Sequence, residues 1–149
     1  MIVENYMTKD VITLKPGDTL QNAKKTMKNR HIRHIPVISD DEKLVGIISD
    51  RDIRKYTPTP VAARKEDCDE EFMQTKVVEE AMTTHPVSTT PGTPIEEAVT
   101  LMRDEKIGAL PVVSDGRLVG IITEADIFNA FTDLLRILKR KGITMEQLK

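Results

Sequence analysis

The sequence predicts an α+β fold made of two repeats, each a strand, a helix, two strands and a helix, packed with pseudo-twofold symmetry. Three observations carry this. The first is an internal duplication: Val3-Glu4 and Met7-Thr8 return as Val78-Glu79 and Met82-Thr83, and Pro16-Gly17 as Pro91-Gly92. Further on, Pro36-Val37 returns as Pro111-Val112, and Leu44-Val45-Gly46-Ile47-Ile48 as Leu118-Val119-Gly120-Ile121-Ile122. The second is a pair of β-rich apolar runs joined by a short polar turn in each copy, the pattern of an antiparallel hairpin. The third is a set of helix-start signals at matching places in both copies.

The copies lie 75 residues apart early (82 − 7) and 74 late (118 − 44), because Asp40-Asp41-Glu42-Lys43 shortens to Asp115-Gly116-Arg117. A surface turn tolerates such a deletion. A unit of about 50 residues buries too little surface to be stable alone, so the halves are expected to stabilise each other. Clefts between two copies of one unit are the first places to look for a ligand.

In the first copy, Val11-Ile12-Thr13-Leu14 reads as a short extended stretch, ended by Pro16-Gly17-Asp18-Thr19. Leu20, Ala23, Met27 and Ile32 follow at near-helical spacing. The second copy states the same start more clearly. Thr93 is expected as N-cap, Pro94 at the first helical position and Glu96 as the reciprocal cap, with Asp18 and Gln21 a weaker version. Ile95, Ala98, Val99 and Met102 make the apolar face of that helix.

A strand comes next, His34-Ile35-Pro36-Val37-Ile38 or Ala109-Leu110-Pro111-Val112-Val113. Its proline cannot donate to a ladder and marks a strand start or edge. The continuous apolar strand after the turn should be covered on both faces. A closing helix then opens at Ser49 or Thr123.

Between the copies, Tyr56-Thr57-Pro58-Thr59-Pro60 is a breaker-rich exit, and Lys65-Glu66-Asp67-Cys68-Asp69-Glu70-Glu71 is acidic. This reads as a solvated linker with one helical turn. The expected division is repeat 1 over 1–56, linker over 57–76, repeat 2 over 77–131 and a helical extension over 132–149. The last helix carries Phe128, Phe131, Leu134, Leu135 and Leu138, with Arg136, Lys139, Arg140 and Lys141 at the end that its dipole favours for cations. That apolar stripe is read either as core packing or as a face toward another chain.

Composition excludes several classes. Of 149 residues, 39% are hydrophobic and 31% charged, with a net charge of −2, which describes an ordinary soluble globular protein. Near-neutral charge gives no general reason to bind nucleic acid. No apolar run approaches a membrane span, and the N-terminus lacks the basic start and apolar stretch of a secretory signal. Cys68 is the only cysteine, so a reducing cytoplasm is expected.

Catalytic signatures are missing. His31, His34 and His85 make no helical metal pair, so no metal site is expected. Cys68 sits among acids that oppose a thiolate. Neither a nucleophile elbow nor a phosphate-binding glycine loop is present. Met7, Met27, Met82 and Met102 read as core packing. No enzyme activity is expected.

The Met-Thr opening, the Pro-Gly before the first helix, the Ile-x-x-x-Pro-Val strand, the Leu-Val-Gly-Ile-Ile strand and the Ser/Thr-x-x-Asp-Ile helix start resemble a pair of CBS domains. This tandem unit is called a Bateman module. The match covers residues 3–54 and 78–131, and the compact form is similar to the acetoin-utilisation protein B group. The resemblance implies a cytoplasmic sensor with two inter-repeat clefts. One or both would bind AMP, ADP, ATP or S-adenosylmethionine as a regulatory ligand, with no obligatory cofactor. It further implies a homodimer and a regulated enzyme or transporter as partner.

Carried over residue by residue, the resemblance gives Asp52 with Ser49 in one cleft and Asp126 with Thr123 in the other, beside ribose or phosphate. A carboxylate at a helix start suits a ribose diol, and free N–H groups there favour phosphate. The same residues also make ordinary N-caps with an acid in the first turn, and both roles can coexist. The adenine walls would be Val11, Ile12, Thr13, Ile35 and Pro36, and for the partner cleft Val87, Ser88, Ala109, Leu110 and Pro111, the apolar ones alternatively plain core.

Arg33, His34 and Arg51 are the expected phosphate cations, or else solvated surface groups. Their second-copy counterparts Gly108, Ala109 and Ala125 carry no charge, so that cleft is expected to be uncharged and to suit adenosine with little phosphate. Two functions therefore stand: a non-catalytic adenosyl-ligand sensor signalling through shape or dimer change, and a protein-interaction module docking through its C-terminal helix.

Overall fold

Each copy folds as a helix, an antiparallel hairpin and a second helix. The computed structural model describes residues 1–57, 66–143 and 147, the side chains of 66–69 excepted. The first copy holds α1 (Leu20–Arg30), β1 (His34–Ile38), β2 (Leu44–Ser49) and α2 (Asp50–Tyr56). After it come α3 (Glu66–Thr75), α4 (Val78–Ala81) and β3 (Thr83–Thr84). The second copy holds α5 (Ile95–Glu105), β4 (Ala109–Ser114), β5 (Arg117–Thr123) and α6 (Glu124–Arg140). The mixed α+β class and the duplicated plan hold. The expected leading strand contracts to one parallel bridge per copy, Leu14 to Val37 and Thr89 to Val112.

The hairpins match across the duplication. Pro36 faces Ile47 and Pro111 faces Ile121 in the antiparallel pairs. Both hairpins slip register after the valine that follows the proline. The turns meet tip to tip, where Lys43 bridges to Arg117.

Two helix starts differ from expectation. Thr19, not Asp18, caps α1, its Oγ1 accepting from Asn22 N at 3.0 Å. Asp18 instead accepts from Lys15 N at 2.7 Å, closing the preceding turn. Thr93 does not cap α5; its Oγ1 turns to the Thr90 hydroxyl, 2.9 Å away, and Pro94 precedes the first helical residue. The carbonyl of Thr93 is held by Val3 N at 2.9 Å, which pulls the chain away from the capping geometry.

That contact belongs to an exchange between the halves. Val3 N and Glu4 N donate to Thr93 O and Pro91 O, and Val78 N and Glu79 N donate to Asp18 O and Pro16 O. Thr8 pairs with Ile121 of β5, while β3 pairs with Gly46 and Ile47 of β2. Each copy's opening segment therefore packs on the other copy. Val3 is fully buried with Ala98, Leu110, Val112 and Ile122, and Val78 with Leu20, Ile35, Val37 and Ile48.

Gly46 and Gly120 permit the close approach. A Cβ on Gly120 would stand 2.6 Å from Met7 Sδ, and one on Gly46 would collide with Met82 Sδ. The duplicated glycine and the duplicated methionine are one contact seen from two sides.

The linker expectation needs correction. Residues 58–65, including Pro58 and Pro60, lie outside the described residues, as does the Cys68 side chain. From Glu66 the chain is a ten-residue helix, more than one turn. Met73 is 1% exposed inside the first core and Phe72 packs against it. The acids of α3 disguise an apolar face that the first repeat needs. Among the described residues, no helix is long and apolar enough to cross a membrane.

Candidate functional site

The segments Ser49–Asp52 and Thr123–Asp126 are built alike. At the first, Asp52 Oδ2 accepts from both Ser49 N and Ser49 Oγ at 2.8 Å, while Asp52 N donates to Ser49 Oγ at 3.1 Å. At the second, Asp126 Oδ2 accepts from Thr123 N at 2.8 Å and from Thr123 Oγ1 at 2.9 Å. The Ser49 hydroxyl caps α2, whereas the Thr123 hydroxyl makes no cap hydrogen bond to α6 and donates to Asp126; the reciprocal role of the aspartate is common to both. It occupies one carboxylate oxygen and fixes the rotamer, while no donor among the described residues reaches Oδ1 of either aspartate. Both carboxylates are half-buried.

Backbone bonds tie each helix start to its hairpin. Asp50 N donates to Arg33 O at 3.0 Å and Glu124 N to Gly108 O at 3.1 Å. Arg33 and Gly108 are thus fixed beside the helix that carries the aspartate.

Two clefts open between the repeats, of about 300 and 440 Å³. The smaller is lined by Thr123 and Asp126 of the second copy together with Val11 and Ile12 of the first. The larger is lined by Ser49, Arg51 and Asp52 of the first copy together with Val87 and Ala109 of the second. Each cleft thus combines the leading segment of one repeat with the helix start of the other.

The remaining slot residues are placed elsewhere. Ile35 and Leu110 are fully buried in the two cores, with Pro36 and Pro111 buried beside them, and Thr13 and Ser88 line neither cleft. The reason is local. Leu14 N donates to Pro36 O at 3.1 Å and Thr89 N to Pro111 O at 3.0 Å, so the leading segment covers the middle of the strand. Only the strand's first residue emerges.

The expected uncharged cleft is not found. Arg33, His34, Gly108 and Glu124 line both clefts, forming a shared wall, and the Asp126 cleft also receives Asp10 and His31. Gly108 makes room for this wall, since a Cβ there would stand 3.2 Å from His34 Cε1. Burial pushes the His34 imidazole below its ordinary 6.5, and Arg33 adds to the depression. Asp50, Glu124 and Asp52 pull the other way.

Comparing the duplicated copies position by position adds Lys106 and Lys55, which the motifs do not mark, and places His85, which the sequence allows as a surface or phosphate-site histidine. His85 stands where the first copy has Asp10, and Lys106 where it has His31; both line the Asp52 cleft, as does Lys55. Among the described residues, no group of three or more His, Cys, Asp or Glu is arranged to hold a metal ion.

The CBS domain family model matches residues 3–58 and 78–133. A CBS domain-containing protein of Dictyostelium discoideum is 32% identical over 136 residues, covering 91% of this chain and 94% of that protein. The inosine-5′-monophosphate dehydrogenase of Methanocaldococcus jannaschii is 37% identical over 125 residues, 83% of this chain but 22% of the enzyme. Among solved structures, AcuB of Vibrio cholerae superposes with a TM-score of 0.76 at 33% identity, covering 95% of this chain and 96% of that one. The CBS domain pair of protein MJ0100, in complex with 5′-methylthioadenosine and S-adenosyl-L-methionine, gives 0.74 at 28% identity, with 89% and 97% covered. CBSX2 in complex with AMP gives 0.76 at 28% identity, with the same coverage. With its duplicated hairpins, exchanged opening segments and paired clefts, this chain belongs to the CBS domain family and carries two copies of the domain.

Proposed function

We propose that this chain is a non-catalytic regulatory module that binds adenosine-containing ligands in its two inter-repeat clefts. The observation that carries the reading is the paired carboxylate: each cleft has an aspartate held rigid through Oδ2 and left, among the described residues, without a donor at Oδ1. A hydroxyl-rich sugar supplies the missing donors, and charge-assisted hydrogen bonds of this kind are strong. The complexes of two structural relatives with AMP, and with 5′-methylthioadenosine and S-adenosyl-L-methionine, support the adenosyl class. Ligand binding acts on a partner only if it favours one arrangement of the repeats over another. Calorimetric titration with AMP, ADP, ATP and S-adenosylmethionine tests this. Heat and a raised melting temperature with at least one are expected; neither with any of the four overturns the reading.

The output would pass through α6. Its Phe128 is 69% exposed and its Phe131 51%, with Leu134, Leu135 and Ile137 also exposed. We assign this stripe to a homodimer contact, from which an attached or separate enzyme or transporter would sense the change. The match within a dehydrogenase supports an enzyme as target. The single cysteine supports a cytoplasmic setting. The same stripe favours a second reading, in which the helix docks another protein and the clefts have no regulatory ligand. Truncation after Phe131 together with the titrations separates them: partner loss in a chain that gives no heat with any of the four compounds favours docking.

A further inference from the structure

The two clefts use matching positions but differ in charge. In the Asp52 cleft, Arg51, Lys55 and Lys106 add to the shared Arg33, facing Asp50, Asp52, Glu105 and the shared Glu124. In the Asp126 cleft, the positions matching Arg51, Lys55 and Lys106 are Ala125, Asn129 and His31, and the position matching His85 is Asp10. There Arg33 alone, among the permanent cations of the described residues, faces Asp10, Glu124 and Asp126. Among the described residues, one cleft is balanced, with four permanent cations against four carboxylates, and the other is net acidic.

A doubly charged phosphate is drawn to the first environment and repelled by the second. Arg51 sits in the first turn of α2, where the helix dipole disfavours a cation, and an anion beside it removes that penalty. Resting on the adenosyl reading above, we propose that the clefts take different chemical classes. The Asp52 cleft takes a phosphorylated adenosine nucleotide. The Asp126 cleft takes an adenosyl compound with no phosphate and a neutral or positively charged 5′ substituent, such as a sulfonium or ammonium group. The module then reports two signals at once, separated by the wall of Arg33 and His34.

The probes are adenosine, AMP and S-adenosylmethionine, titrated calorimetrically into the full chain. AMP affinity should fall about tenfold or more in Arg51→Ala and Asp52→Ala and stay within about twofold in Asp126→Ala. S-adenosylmethionine should show the reverse, weakened by Asp126→Ala and Asp10→Asn and indifferent to Arg51→Ala. Arg51 is exposed and makes no hydrogen bond or ion pair among the described residues, as is true of Asp10, so these two variants keep the test readable if an aspartate cap variant unfolds. Adenosine binding together with AMP filling both clefts at affinities within about threefold overturns this inference alone. No heat from adenosine, AMP or S-adenosylmethionine overturns the adenosyl reading and this inference together.

Discussion

Met7 Sδ lies 2.6 Å from the point where a Cβ on Gly120 would stand, so the strand of one repeat is shaped around a side chain from the start of the other. Thr8 O is 3.2 Å from the same point, which leaves the methionine little room to retreat. Gly120→Ala should therefore destabilise the protein by about 1–3 kcal/mol, the usual range for overpacking. Urea unfolding measures it. Met7→Ala in the same chain should recover part of the loss if the clash is with Sδ, and a double-mutant cycle quantifies the coupling.

Met73 should matter as much as a residue of either repeat. It is 1% exposed in the first core, so Met73→Ala is expected to cost about 2–5 kcal/mol by leaving a cavity. A loss under about 0.5 kcal/mol, typical of a surface change, would mean that α3 does not hold against α1.

The aspartates and their caps should separate by readout. Ser49→Ala should lower stability by about 1 kcal/mol through loss of the cap, and Thr123→Ala, whose hydroxyl donates to Asp126 without capping, by less. Asp52→Ala and Asp126→Ala should in addition weaken ligand binding in their own clefts by about 1–3 kcal/mol. Thermal unfolding and calorimetry together give both numbers. Unchanged affinity in both aspartate variants would contradict the ribose role.

Acid should weaken the fold through His34. Its folded pKa lies below the unfolded 6.5 because burial disfavours the charged ring. The unfolded state then binds more protons between the two values, so stability rises with pH in that window. The contribution is fully present above about 6.5 and is lost as pH falls toward the folded value. The urea midpoint should fall less between pH 7.5 and 5.5 in His34→Asn than in the parent chain; equal pH dependence in both would count against a desolvated imidazole.

The exposed face of α6 predicts the assembly. Phe128→Asp with Phe131→Asp should turn a dimer into a monomer by sedimentation velocity while changing the unfolding midpoint of the monomer little. If the parent chain already sediments as a monomer at high concentration, the homodimer assignment fails.

Much of this was legible in the sequence, and what was not has physical causes. The hairpins and the caps at Ser49 and Thr123 follow from local patterns that tertiary contacts leave alone. Which repeat receives Met7 cannot be read locally, because Gly46 and Gly120 offer equivalent sites and the sequence order favours the nearer one. Ile35 and Leu110 lie in continuous apolar runs, where periodicity does not distinguish a cleft wall from a core. Phe72 and Met73 are hidden by the acids before them. The charge of the Asp126 cleft is not legible in the second copy, because Arg33 and His34 belong to the first. In space they stand between both clefts.

The crossed opening segments also govern how the chain comes apart. A nick between residues 57 and 66 would leave two pieces clasped together, each still threaded through its neighbour by Val3 or Val78. Expressing residues 1–57 and 66–149 separately would give fragments that each lack a plug for their own interior, and mixing them should restore what neither has alone.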